Sequence, residues 1–487
     1  MTISCLVFAC HAWANNVRLS NLVMEDAYTL SIDIAWDHAW DLDTVQAPFN
    51  HDAVWLFVKI QDQPYHFLHA DLSTDSAAFE IDNAVLGINT VADGKGIFVR
   101  RTDGLAANVP ASKLTLRLSQ AIPAGAYSIQ VFAIEMVWIN SEAFYLGDST
   151  SFDRLGTGAD VKPLLVNAEN ALPIGNGTGQ LQADSTAIAG NVPSAFPKGY
   201  QGFYCMKYEI SQSQYVDFLN TLSAVAQQQR VINPTNQAGY SFSSNPAFRN
   251  GIVVQEPSNG NVPALFDLDG NFNSVLNELG DGGDRACSFL SWADVAAFLD
   301  WAALRPMTEL EYEKACRGPE VPVAGGFAWG TPLITDANTL ANDGFENESV
   351  TDSLAANAGF GSHGYDGPTG PLRSGFGGND SSTRLSMGAS YYGVAELSGN
   401  LWEYCVTVSS PQGLLFSGAL GDGELDTQGN ANIANWPLAD GTGAGHRGGA
   451  WNSGILPTFR DLAVSDRFYI NLKPSLRRGT GGGRGVR

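Results

Sequence analysis

The sequence predicts an all-β domain followed by a larger, loop-rich α+β domain. Up to about residue 130, apolar and polar residues alternate with period two in runs of strand length. The remainder carries three short helical patterns separated by long stretches rich in Gly and Asn. With 53 glycines among 487 residues, much of this second part is expected to be turn and loop.

The predicted strands of the first domain are short and regularly spaced. The run 29–36 alternates apolar with smaller or polar residues, whereas 52–59 is apolar on both faces, which is typical of a central strand covered on both sides. Similar runs follow at 96–101, 114–118 and 127–132. This spacing predicts a β-sandwich over residues 15–132. Trp36 and Trp40 are expected to be core aromatics, with a carbohydrate-binding platform as the alternative.

The second domain, residues 133–487, is expected to pack closely on the first. The last strand-like run continues to residue 139, and no Pro-, Gly- or Ser-rich linker follows it. N-cap residues ahead of apolar periodicity predict three helices, which begin at Ser211, near Ser291 and at Thr308. Gln214 and Glu311 stand three residues after the first and third of these caps, which is the capping-box pattern.

The net charge and the hydropathy of the sequence limit the classes of partner and the cellular location that can be expected. The net charge is −23, and nucleic acids are bound by basic patches, so no nucleic-acid partner is expected. No later segment approaches 18 uninterrupted apolar residues, so no membrane span is predicted. Residues 1–14 are apolar and end in Ala-Trp-Ala, a signal-peptide cleavage pattern. They predict a signal peptide, and hence a secreted or cell-surface protein that starts near Asn15.

The cysteines and histidines do not form a recognisable catalytic or zinc motif. Two of the six cysteines lie in the predicted signal peptide, and the other four allow three disulfide connectivities, among which the sequence does not choose: Cys205, Cys287, Cys316 and Cys405. No C-x-x-C pair is present, so a structural zinc site is not expected. His66 and His69 are close in sequence but lie on a predicted strand, where this spacing does not bring side chains together.

Five ordered segments resemble one known family. Residues 399–403, Gly-Asn-Leu-Trp-Glu, are similar to the G-N-x-W-E signature of the formylglycine-generating enzyme, or sulfatase-modifying factor, superfamily. Segments that fit the same family in its order are 203–215, 304–318, 446–451 and 482–487. The resemblance implies an irregular, loop-rich fold akin to the C-type lectins for the second domain.

The resemblance also implies an enzymatic activity, but this sequence departs from the catalytic pattern of the family. Catalytic members are copper-dependent oxidases that convert a cysteine of a sulfatase to formylglycine, using two cysteines shortly after an R/K-G-G segment; thiolates suit Cu(I). The matching segment 447–460 contains no cysteine, and Ser453 and Thr458 stand near the expected positions. We therefore assign no catalytic residues, expect no copper, and predict a binding or structural module that self-associates at the cell surface. The alternative is a metal-dependent oxidoreductase of the same superfamily.

Calcium is the cofactor that the resemblance implies. Asn400 and Glu403 match one calcium site of the family, and Asn357 and Asp366 match another. Independently, 267–273 places side-chain oxygens at alternate positions around a glycine, which is typical either of a calcium loop or of an Asx-rich turn that caps its own backbone.

Partner binding is predicted after the R-G-G segment, where relatives carry catalysis or variable binding surfaces. Asn452, Ser453, Phe468 and Tyr469 are predicted to line an exposed site for a glycan, another protein or a second copy of the chain. The last fifteen residues hold five positive charges and no acid, which indicates an electrostatic seam within the fold or between subunits.

Overall fold

A computed structural model describes residues 16–184, 190–243, 248–337, 339–351, 357–359, 369–378, 382–453 and 460–487, with the backbone of a short strand at 6–9. The predicted cleavage point at Asn15 lies outside the described residues. Thr458 and Asp366 lie outside them as well.

Strands dominate the described chain, and most of those after residue 139 have only two to five residues. The strands of the first part are β1 (Leu6–Ala9), β2 (Arg18–Asp26), β3 (Thr29–Trp40), β4 (Asp52–Gln63), β5 (His66–Ala70), β6 (Glu80–Ile81), β7 (Leu86–Thr90), β8 (Ile97–Arg101), β9 (Ala106–Arg117) and β10 (Ser128–Ile139). Those of the second part are β11 (Phe144–Leu146), β12 (Leu155–Gly156), β13 (Leu164–Val166), β14 (Leu172–Pro173), β15 (Gln182–Ala183), β16 (Asn191–Val192), β17 (Phe203–Met206), β18 (Gly239–Tyr240), β19 (Ile252–Glu256), β20 (Leu265–Leu268), β21 (Arg305–Pro306), β22 (Leu340–Ala341), β23 (Ser349–Val350), β24 (Glu403–Val406), β25 (Ala444–Arg447) and β26 (Gly485–Val486).

All three predicted helices are present, and two short ones were missed. The helices are α1 (Gln212–Asn220), α2 (Ala224–Arg230), α3 (Trp292–Trp301), α4 (Glu309–Arg317) and α5 (Arg384–Met387). The predicted capping boxes form at α1 and α4, where Ser211 and Thr308 accept the backbone N–H of the third helical residue. The helices α2 and α5 span only seven and four residues, which is too short for a clear apolar period.

A nine-stranded sheet runs through both parts of the chain. Its order is β21-β26-β17-β10-β4-β8-β7, with β1 added beside β10 and β5 beside β4. The strand β10 pairs with β4 along most of its length and with β17 through residues 136–139. The predicted domain boundary at residue 133 therefore falls inside a strand that belongs to both parts.

This sheet separates two apolar cores. A four-stranded sheet, β2-β3-β9-β6, packs on one face, where Val54, Leu56 and Val58 of β4 point. The alternate residues Trp55 and Phe57 point to the opposite face, into a core that also holds residues of α1 and α3. Both faces of β4 are buried, as its apolar run predicted. Trp36 is also fully buried, which confirms its prediction as a core aromatic.

Buried charges tie the two parts of the chain together. The Lys207 ammonium lies 2.9 Å from a Glu135 carboxylate oxygen and 3.3 Å from an Asp52 oxygen, and all three side chains are buried. At the C-terminus, Arg487 pairs with Asp93 of the first part at 2.5 Å and lies 4.1 Å from the centre of the Trp55 ring. The close packing expected from the missing linker is therefore present.

None of the helices in the described chain has both the length and the hydropathy to cross a bilayer.

Candidate functional site

The signature residues Asn400 and Glu403 lie in a buried polar network at the start of β24. Asn400 adopts a left-handed backbone conformation, with φ of 60°, which Asn tolerates better than most residues. Its amide oxygen accepts the Leu372 N–H at 2.8 Å, and its Nδ2 donates to Glu209 at 2.5 Å. One Glu403 carboxylate oxygen accepts the Arg484 Nε–H at 2.6 Å. Both signature side chains are thus engaged with protein groups.

Three carboxyl groups surround Arg484 in this network. Burial raises the pKa of Glu209, Glu396 and Glu403, to about 7 for Glu396, while Arg484 acts to lower all three. The Oε2 atoms of Glu396 and Glu403 have no hydrogen-bond partner among the residues that the structure describes. The Arg484 guanidinium is therefore a single positive charge that interacts favourably with all three of these buried acids.

This arrangement does not fit calcium at Asn400 and Glu403. The cation that neutralises Glu403 is a guanidinium, and the Asn400 oxygen is occupied by a backbone N–H. Among the described residues, no group of three or more His, Cys, Asp or Glu side chains is placed to hold a metal ion. Asn357 is buried and accepts the Thr335 N–H at 2.9 Å, and its predicted companion Asp366 lies outside the described residues. Calcium at that second pair stays a prediction.

The oxygen-rich turn at 267–273 caps its own backbone. Asp269 accepts the Tyr240 hydroxyl and the Ser274 N–H, while Asn271 accepts the Asn273 N–H at 3.0 Å. Asn273 in turn accepts the Val275 N–H at 2.7 Å. These are Asx-type contacts, so the geometry favours the structural alternative over a calcium loop.

A cavity of about 330 Å³ opens beside β24 and β25, and we call it the aromatic cavity. The register of the two strands places Tyr404 opposite His446, and strand alternation puts Trp402 on the same side as Tyr404. The cavity is lined by Trp402, Tyr404, His446, Asn452, Ser453, Asp461, Tyr469, Leu472, Arg478 and Thr480.

Aromatic rings form the walls of this cavity. The Trp402 ring meets those of Tyr469 and His446 edge to face, with centroids 5.3 Å and 5.6 Å apart. Burial lowers the pKa of His446 to about 4, so the imidazole is neutral at neutral pH. The Arg478 side chain is exposed at the cavity and adds a positive charge near the imidazole, while Asp461 adds an acidic group to the lining.

The structure brings together three of the four residues predicted to bind a partner. Asn452, Ser453 and Tyr469 line the aromatic cavity, and Phe468 packs edge-on against Tyr469 with centroids 4.8 Å apart. Asn452 and Phe468 are exposed and Tyr469 is half-buried. Ser453 is only 6% exposed, and its Oγ accepts the Ala450 N–H at 3.0 Å, so its predicted exposure is wrong.

Sequence reasoning missed most of the cavity wall. Trp402 packs against the core that holds α1 and α3, and it also lines the cavity. The alternation of Trp402 and Tyr404 along one strand was the available signal. Nothing local indicated that His446 and Arg478 would face them, because each comes from a distant segment of the chain.

The four described cysteines are all unpaired and buried. Burial raises the pKa of Cys205 and Cys316 to about 12, which keeps both thiols protonated at neutral pH. None of the four lines the aromatic cavity. The described lining thus lacks the soft sulfur ligands that copper chemistry requires, and it does not fit a Cu(I) site.

A buried ion network fixes the R-G-G segment beside the cavity. Arg447 bridges Glu309 and Glu313 of α4 at 2.9 Å and 2.7 Å, and Arg467 contacts Glu309 at 2.6 Å. Burial acts to raise the pKa of Glu309, but the two arginines hold it below its usual range. In the tail, Arg477 pairs with buried Asp294 at 2.7 Å. Arg477, Arg484 and Arg487 thus form a seam within the fold, whereas Lys473 and Arg478 are exposed.

Comparison with known proteins places the fold in a family. The sequence profile of the sulfatase-modifying factor enzyme 1-like domain matches residues 166–461, which is more than half of the chain. The chain belongs to this family, which confirms the resemblance seen in the five segments. Among individual proteins, a formylglycine-generating enzyme of Thermomonospora curvata is 24% identical over 231 residues, covering 45% of this chain and 67% of that protein.

Proposed function

We propose that this protein is an exported binding module, built on a C-type-lectin-like member of the family behind an N-terminal β-sandwich, and that the aromatic cavity is its recognition site. The observation that carries the proposal is the lining of that cavity. Aromatic rings, an amide and an arginine occupy the place next to the R-G-G segment, and Ser453 stands near one of the positions where catalytic members have a cysteine. A hydroxyl held by a backbone N–H does not replace a thiolate in copper chemistry.

The walls suit a ligand with one apolar face and several hydroxyl groups, which is the character of a sugar ring. Trp402 and Tyr469 offer ring surfaces, while Asn452, Asp461 and Arg478 offer polar groups. The volume of about 330 Å³ is at the small end of the range for ligand cavities, which is roughly 300–1,000 Å³. A terminal glycan residue is therefore the ligand class that we favour.

The test is to titrate the protein with each member of a panel of glycans and to measure binding by calorimetry and by tryptophan fluorescence. Tyr469→Ala removes one wall, and we expect it to weaken binding at least tenfold, about 1.4 kcal/mol. Tyr127→Ala is the matched control, because Tyr127 is exposed and does not line the cavity. Ultracentrifugation of the same variants tests self-association. Loss of a dimer in Tyr469→Ala without glycan binding would assign the cavity to a second copy of the chain.

An oxidoreductase is the competing function, and the name of the relative supports it. It requires a redox metal held by residues other than the four buried cysteines. Copper and iron content of the purified protein, with oxygen uptake in the presence of a cysteine peptide, decides between the two. Tight redox-metal binding with turnover would overturn the binding-module proposal.

A further inference from the structure

A second cavity, of about 170 Å³, lies beside the loop that follows β20. We call it the acidic cavity. Four acidic side chains line it: Glu278, Asp281, Asp284 and Glu346. No lysine or arginine is among its described lining residues. Like charges gathered around one opening repel each other unless a cation lies between them.

Two of these acids are buried and incompletely partnered. Asp284 is 7% exposed and Asp281 is 3% exposed, and the Oδ1 atom of each has no hydrogen-bond partner within the described part of the chain. The other oxygen of Asp281 accepts the Glu278 N–H at 2.8 Å. A buried carboxylate without a partner carries a large desolvation cost, which a bound cation removes.

The nearest cations of the protein are engaged elsewhere. Arg285 pairs with Asp343 at 2.5 Å and Glu348 at 3.4 Å. Arg373 donates to the carbonyl oxygens of Glu348, Ser374 and Gly375. Neither guanidinium hydrogen-bonds Asp284, and burial raises the pKa of that carboxyl to about 8 even though Arg373 acts to lower it.

Apolar groups complete the walls. Leu268 and Leu279 line the cavity, and Leu279 is 71% exposed. Aliphatic walls suit the methylene stem of a long basic side chain.

We propose that the acidic cavity binds an organic cation of the alkylammonium or alkylguanidinium class, as carried by a lysine or arginine side chain of a basic partner. Ammonium and guanidinium groups make charge-assisted hydrogen bonds to carboxylates, which satisfy the orphaned oxygens of Asp281 and Asp284. An organic cation is favoured over a metal ion because, among the described residues, no three His, Cys, Asp or Glu side chains are placed to hold a metal ion together, and because the walls are partly apolar.

The test uses the full chain and three probes: Nα-acetyl-lysine N-methylamide, the uncharged Nα-acetyl-norleucine N-methylamide, and Ca²⁺. Calorimetry is expected to show saturable binding of the lysine probe and none of the norleucine probe. Asp284→Asn keeps the shape of the side chain and is expected to weaken lysine binding at least tenfold. Asp160→Asn removes the same charge at an exposed position outside the cavity and is expected to change nothing.

Three outcomes would overturn the proposal: equal binding of the lysine and norleucine probes, binding of Ca²⁺ without binding of the amine, and unchanged lysine binding in Asp284→Asn. If Asp284→Asn does not fold, Glu346→Gln replaces it, since Glu346 is exposed and lines the same cavity. That variant is expected to weaken lysine binding about threefold, and no change would count against the proposal. Tyr469→Ala is expected to leave lysine binding intact, which separates this site from the aromatic cavity.

Discussion

Glu403 and Arg484 form an ion pair whose two side chains are both almost completely buried. Such pairs are costly to break, because the remaining partner is left as an uncompensated charge in the interior. Glu403 belongs to the G-N-x-W-E signature, and Arg484 belongs to the matching segment 482–487. At the residue scale, these two motifs therefore supply the two partners of one ion pair. The positions that suggested calcium are occupied by protein groups.

Removing the Glu403 charge is expected to destabilise the fold. Glu403→Gln leaves Arg484 with fewer compensating acids, and we expect a loss of about 3 kcal/mol in the free energy of unfolding, measured by denaturant titration. Lys473→Gln is the control, because its pair with Asp440 is exposed and is expected to contribute less than about 1 kcal/mol.

The same measurement with calcium or a chelator tests the ligand assignment. Because the Glu403 carboxylate is paired with Arg484, the loss in Glu403→Gln is expected to be equal in both conditions. Calcium stabilisation of the parent chain that disappears in the variant would instead support a calcium site at Glu403.

The buried carboxyl of Glu396 is expected to make the free energy of unfolding depend on pH, and the raised pKa of this group determines the direction. Its pKa is about 7 in the folded protein and near the ordinary value for glutamate, roughly 4.3, when unfolded. The folded state therefore holds the proton more tightly, and the stability from this group falls as pH rises from about 4.3 to about 7. Relative to the parent chain, Glu396→Gln is expected to gain up to about 3 kcal/mol between pH 5 and pH 8. A stability difference that is flat with pH would contradict this assignment.

At the scale of the element, α4 connects a capped helix start to the R-G-G segment beside the aromatic cavity. Its cap, Thr308, accepts the Glu311 N–H at 3.1 Å, while Glu309 and Glu313 hold Arg447 at the end of β25. The cap fixes the start of the helix, and the helix fixes the R-G-G segment. Local capping therefore controls the placement of a strand more than a hundred residues away.

Deleting this cap is expected to cost stability. Thr308→Ala removes the hydroxyl that accepts the Glu311 N–H and also donates to Pro197 O, and we expect a loss of about 1–2 kcal/mol in the free energy of unfolding. Thr308→Ser keeps the hydroxyl and is expected to lose less than half as much. Equal losses in the two variants would show that the methyl group, and not the cap, is the stabilising part.

At the scale of the whole molecule, one sheet serves two cores. The strand β4 sends Val54 and Leu56 to one core and Trp55 and Phe57 to the other. Burying both faces of a strand requires the residues that follow β10, because they supply α1 and α3. The two parts of the chain are therefore expected to unfold as one unit.

A fragment of residues 15–132 is expected not to fold alone. It would expose the β4 and β10 side chains that α1 and α3 cover, and exposed apolar surface of this kind causes aggregation. Size-exclusion chromatography and proton NMR of the fragment, beside the full chain, check this expectation. A monomeric fragment with a dispersed spectrum would contradict it and would support the domain boundary at residue 133.

The sequence by itself determined the family, the all-β character of the first part, the three capped helices and the missing cysteine pair. These features depend on residue types at short spacing, such as Ser211 with Gln214 or the glycine and asparagine of 399–403. Three of the ten residues that line the aromatic cavity were also predicted in this way, because Asn452, Ser453 and Tyr469 lie in the stretch that follows the R-G-G segment.

Only the tertiary structure decided which groups meet across long separations. Glu403 and Arg484 lie 81 residues apart in sequence, and Asp294 and Arg477 lie 183 apart, so no local pattern indicates either pair. The same holds for His446 beside Trp402 and for the acids of the acidic cavity. Which charged side chains pair depends on their distance in the folded chain. That distance is determined by packing contacts among many segments.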